Sequence, residues 1–115
     1  MDAGFSLEYF DRIFGDRSPE FWELVEALRE ELKGYAEEFP AAVRKGDLQT
    51  LAQLRHMHRP LTINLGLDRL RALESQTSDE IRSRASPERL EELSREFSVV
   101  ARKVAQGLED LVPPK

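Results

Sequence analysis

Ser18-Pro19 and Ser86-Pro87 each stand directly before a long stripe of apolar residues spaced by threes and fours. A serine before a helix accepts from backbone N–H groups that the first turn leaves unpaired. A proline in that turn loses nothing, because its missing N–H would have had no partner there. The first pair leads into Phe21, Leu24, Val25, Leu28, Leu32, Tyr35 and Phe39, and the second into Leu90, Leu93, Phe97, Val100, Val104, Leu108 and Leu111. With 3.6 residues per turn, each set falls on one side of a helix. The chain is therefore predicted to fold by burying helix faces against one another. No segment alternates apolar and polar residues between Asn-Gly or Asp-Gly turns, so no strands are predicted.

The same punctuation places the other helices. A short helix is predicted from Leu7 to Phe14, capped by Ser6 and stopped by Gly15. Pro40 is expected to kink or restart the second helix, whose last turn runs through Val43 and ends at Gly46. Asp47 is the next N-cap, and Gly66 is a natural left-handed terminator for the third helix. A fourth helix begins near Leu67 with Leu70, Leu73 and Ile81 inward, and the polar run from Ser75 to Ser86 hides its end. The expected fold class is all-α: an antiparallel four-helix bundle with a short additional N-terminal helix across one end. Residues 1–115 form one domain, with Pro113-Pro114-Lys115 as a short tail.

Composition narrows the function. The chain has no cysteine, which excludes disulfides, thiolate metal sites and cysteine nucleophiles. A net charge of −5, with cations interspersed among acids, argues against a nucleic-acid surface. No apolar run approaches the length of a membrane span, and the N-terminus lacks a basic region followed by an apolar stretch. A soluble cytoplasmic protein with no membrane partner is the expectation.

Chemistry concentrates in His56-Met57-His58-Arg59-Pro60. On the third helix Leu51, Leu54, His58, Leu61 and Leu65 form one inward stripe, which takes His58 toward the core. His56 lies about 200° away in projection and faces solvent. Gln49, Ala52, Arg59, Pro60 and Ile63 share its face, three, four or seven residues away. Two histidines separated by one residue diverge on a helix, and no third ligand lies near, so a metal site is not expected. Pro60 withholds an N–H from the carbonyl of His56, bends the helix there and leaves room beside the imidazole. Ile63, apolar on a polar face, is a candidate docking contact.

These residues resemble the histidine-containing phosphotransfer (HPt) family over nearly the whole chain. The family pattern is a histidine, a lysine three positions on, then a small or helix-bending residue, and a glycine ten positions after the histidine. His56, Arg59, Pro60 and Gly66 occupy those positions. Gly15-Asp16-Arg17-Ser18-Pro19-Glu20-Phe21 resembles the junction of the family's first two helices, and Lys45-Gly46-Asp47 resembles the approach to its histidine helix. The chain departs from the pattern with Arg59 for lysine, Arg55 where alanine is common, and His58 where a leucine, isoleucine or methionine is usual.

The resemblance implies a phosphoryl carrier, not an enzyme in its own right. His56 accepts the phosphoryl group on Nε2, and Arg59 neutralises its oxygens. Gln49, Ala52, Pro60 and Ile63 dock a response-regulator receiver domain, and a hybrid histidine kinase stands upstream. The carrier holds no cofactor of its own, with Mg²⁺ expected on the receiver, and it works as a monomer. The competing expectation is a non-phosphorylated helical interaction module, scaffold or inhibitor, that docks a receiver or another partner through the same patch.

Overall fold

The start of one long helix meets the end of another along most of the molecule's length. In the computed structural model, which describes residues 4–113, α2 (Pro19–Arg44) and α6 (Pro87–Leu111) make the most extensive interface. Arg44 near the end of α2 pairs with Glu91 near the start of α6, while Tyr35 and Phe39 pack on Phe97 further along. The two therefore run antiparallel. The capping serines act as their positions require. Ser18 accepts from the N–H of Phe21, and Ser86 accepts from the N–H of Arg89.

Four further helices complete the described chain: α1 (Glu8–Phe14), α3 (Leu48–Met57), α4 (Arg59–Asn64) and α5 (Asp68–Arg82). The fold is all-helical and elongated, 47 × 23 × 22 Å. α5 runs antiparallel to α6, with Arg69 paired to Glu96 and Glu80 to Arg89. α1 is clasped to the start of α2 by Arg17. Its guanidinium pairs with Asp11 at 3.1 Å and lies 5.5 and 5.7 Å from the ring centres of Phe21 and Trp22. No helix is long and apolar enough among the described residues to cross a membrane. Pro114 and Lys115 of the expected tail lie outside the described residues.

Both predicted long stripes are largely inward. Phe21, Val25, Leu32, Tyr35 and Phe39 of α2 are buried, as are Leu93, Phe97, Val104 and Leu108 of α6. Leu111 departs from its stripe and is exposed. Phe39 and Phe97 stack with centroids 4.1 Å apart, and Tyr35 meets both rings edge-on. Each fully buried aromatic side chain contributes about 1.5–3 kcal/mol by removal of apolar surface from water.

Three helix boundaries depart in part from expectation, each for a physical reason. α2 does not restart at Pro40 but continues through it, with the proline ring buried and its carbonyl accepting from the hydroxyl of Ser94 on α6. Packing on α6 outweighs the lost backbone bond. Leu7 takes the N-cap of α1, and Ser6 acts one residue earlier by accepting from the N–H of Glu8. The third predicted helix is divided at His58 into α3 and α4, with Pro60 in the first turn of the second piece.

The ends of α2, α4 and α5 share one device. After α4, the N–H of Leu67 reaches the carbonyl of Thr62 and that of Gly66 reaches Ile63, with Gly66 at φ 62°. After α2, Asp47 and Gly46 bond Ala42 and Val43 in the same way. After α5, Ala85 bonds Glu80 and Arg84 bonds Ile81, but the left-handed residue is Arg84 at φ 61°. This six-to-one closure favours glycine, because any Cβ is strained at that φ. Arg84→Gly is accordingly expected to raise the unfolding free energy by about 0.5–1 kcal/mol in urea titration. Unchanged or lower stability would contradict this account of the α5 terminus.

Candidate functional site

The division at His58 arranges the site. A prolyl nitrogen at position 60 cannot donate to the carbonyl of His56, and the backbone turns at His58 with φ −99° and ψ 11°. The His58 N–H is shared between the carbonyls of Leu54 and His56. The N–H of Thr62 reaches the carbonyl of His58 at 3.1 Å, and its hydroxyl donates to that of Arg59 at 3.2 Å. The inward stripe survives the break, for Leu51, Leu54, His58, Leu61 and Leu65 are all buried.

The two histidines are thereby sorted. His56 is exposed, whereas His58 is only 6% exposed. The His58 ring lies against Tyr35, with centroids 4.3 Å apart and planes 34° from parallel. Its Nδ1 is 2.7 Å from a carboxylate oxygen of Glu31 on α2. A carboxylate oxygen pairs with an imidazole N–H, so this contact favours the tautomer with its proton on Nδ1. Nε2 is buried with no hydrogen-bond partner among the described residues.

Behind the histidine helix lies a second polar group that the sequence reading did not single out. The hydroxyl of Tyr35 donates to Glu74 on α5, and Glu74 is only 5% exposed. Arg55 on α3 stands 4.0 Å from the other carboxylate oxygen of Glu74 and donates to the hydroxyls of Ser75 and Ser78. Burial pushes the Glu74 carboxyl above its ordinary range, partly offset by Tyr35 and by the charges of Arg55 and Arg71. Desolvation, with the carboxylate beside it, holds the Tyr35 phenol far above its ordinary value. One signal was legible. Glu74 falls in step with Leu70, Leu73 and Thr77 on the inward side of α5.

Two surface grooves meet at His56. The first, of about 370 Å³, is lined by Ala52, Arg55, His56, Arg59, Thr62, Arg71 and Glu74. The second is shallow and more apolar, formed by His56, Met57, Arg59, Pro60, Ile63 and Asn64. Met57 and Ile63 are 63% and 42% exposed. His56, Arg59, Pro60 and Ile63 thus come together as the sequence predicted, with Ala52 on the cationic side. Gln49 is exposed but lines neither groove. Gly66 closes α4 and is not part of the surface around His56. Asp47 caps α3 by accepting from the N–H and the hydroxyl of Thr50, which hold its carboxyl below the usual range.

The arrangement is suited to nucleophilic chemistry at one imidazole. His56 is open to an incoming group, two cations share its cleft wall on α3 and α4, and apolar side chains flank its other side. In comparison with known proteins, no family model, no curated protein and no solved structure matches the chain.

The raised Glu74 carboxyl has a measurable sign. A folded pKa above the unfolded one gives a contribution that is complete below the ordinary value of 4.5 and lost as pH rises through the folded value. Glu74→Gln removes that loss and still offers Tyr35 an acceptor. The unfolding free energy of the variant minus that of the natural chain is expected to increase as pH rises from 4.5. A difference constant with pH would contradict the assignment.

Proposed function

We propose that the chain is a histidine phosphotransfer carrier of the HPt type, working between response-regulator receiver domains and a hybrid histidine kinase. On this reading α2, the α3–α4 pair, α5 and α6 are the four members of an antiparallel bundle, with α1 as the short additional helix. The observation that carries the reading is the sorting of the histidines. His56 stands exposed in one cleft with Arg59, while His58 is buried with its Nδ1 on Glu31.

The step begins on the receiver's aspartyl phosphate. The Nε2 lone pair of His56 attacks phosphorus, an N–P bond forms, and the P–O bond to the aspartate breaks. The carboxylate leaves, and the imidazolium releases its Nδ1 proton to solvent. Arg59 offsets negative charge on the phosphoryl oxygens during transfer. Mg²⁺ and the catalytic carboxylates belong to the receiver, so the chain is a carrier rather than an enzyme. A cytoplasmic monomer is the form in which it meets that partner.

The groove beside Pro60 supports a docking role. Met57, Pro60 and Ile63 offer exposed apolar surface next to the reacting nitrogen, with Ala52 and Gln49 further along α3. A small apolar centre rimmed by charge suits a transient partner. The same surface also serves the competing reading, a non-phosphorylated interaction module in which His56 is incidental.

The test is incubation with phosphorylated receiver domains and Mg²⁺, followed by intact-mass measurement of one acid-labile phosphoryl group. Label is expected on the natural chain and on His58→Leu, and not on His56→Gln, with helicity unchanged in all three. Loss of label in His58→Leu alone would overturn the assignment of His56. Receiver binding that survives His56→Ala, with no label from any donor in a panel, would establish the interaction module instead.

A further inference from the structure

The cleft on the α5 side of His56 is more cationic than phosphoryl transfer through Arg59 alone requires. Three arginines from three helices line it: Arg55 of α3, Arg59 of α4 and Arg71 of α5. The only acid lining it is Glu74, so the walls carry an excess of two positive charges in a chain whose net charge is −5. Arg55 is held in place by Ser75, Ser78 and Glu74. Arg59 and Arg71 form no ion pair within 4.0 Å among the described residues, so their donors are available. A groove of similar size between α2 and α6 also has three cations, Arg29, Lys33 and Arg102. It is not comparable, because Glu37 and Glu109 share its lining and Arg29 is already paired with Glu26 and Glu30.

We propose that this cleft is an oxyanion site that takes a phosphate dianion, with Arg55 and Arg71 as binding residues alongside Arg59. Arg59 and Arg71 offer forked donors to a tetrahedral oxyanion from two elements, and Arg55 adds its charge and its remaining Nη hydrogens from a third. A volume of about 370 Å³ lies within the range of small-ligand sites. Buried Glu74 sets the geometry. It fixes Arg55 from below, while Tyr35 donates to its other oxygen and limits its repulsion of an anion. The dianion has two sources, free phosphate and the phosphoryl group carried on His56, and the second source rests on the proposed carrier function.

Arginine Nε–H resonances of the His56→Gln chain, titrated with inorganic phosphate at low ionic strength, test the site without any phosphotransfer. The Arg55, Arg59 and Arg71 signals are expected to move together to saturation while Arg29 and Arg102 do not. Arg71→Glu, an exposed position, should weaken the binding about tenfold or more through like-charge contact. Linear drift without saturation, or equal shifts at Arg29 and Arg102, would overturn the proposal.

A second arm uses phosphoramidate, which phosphorylates imidazole with release of ammonia and needs no receiver. If phosphorylated His56 reproduces the three shifts and excludes free phosphate, the cleft receives the carried group. If free phosphate still binds with unchanged affinity, the site takes the free ion. Saturable binding in a chain that no receiver labels would keep the cleft and remove the carrier function.

Discussion

The proline at position 60 withholds one hydrogen-bond donor, and the surface around His56 is organised by that loss. A continuous helix from Leu48 to Asn64 would hold the His56 carbonyl in its ladder. Instead the backbone turns at His58 and a new helix starts with Pro60 in its first turn. Proline is tolerated there because the first turn leaves its N–H positions unpaired in any case. The break does not rotate the buried stripe, so both pieces share one seam against the core. The helical period places one histidine at the surface and the other inside, where Glu31 and Tyr35 hold it.

Under that seam sits a polar layer in a largely apolar interior. Tyr35 links the two halves of the layer, touching His58 with its ring face and Glu74 with its hydroxyl. Tyr35, Glu74 and the Nδ1 side of His58 each keep a partner, which offsets the cost of about 1–3 kcal/mol for an unpaired buried polar group, and Nε2 of His58 is the exception. The layer therefore ties α2, α3 and α5 into one register. It also sets Arg55 beside the exposed imidazole, which connects core geometry to the charge of the surface cleft.

The sequence was most legible where a residue type has one strong local preference. Ser18-Pro19, Ser86-Pro87, Asp47 and Gly66 act at the ends they were assigned. The opposite facing of His56 and His58 followed from helical period alone. What escaped depended on distant partners. Of the two outcomes expected at Pro40, the restart does not occur because α6 covers the proline, and no local rule reports that contact. The end of α5 was hidden because Arg84 stands where glycine closes α2 and α4. Arg71 was not singled out and Arg55 was noted only as a departure from the family pattern, because their common cleft exists only with α3 and α5 side by side.

The most direct test of this account is the reactivity of the two histidines in the folded chain. Carbethoxylation by diethyl pyrocarbonate, followed site by site by peptide mass mapping, reads the accessibility of each imidazole. His56 is expected to be modified readily in the folded chain, with His58 protected until the chain is unfolded in urea. Equal rates in the folded chain, or faster modification of His58, would contradict the sorting on which the site depends.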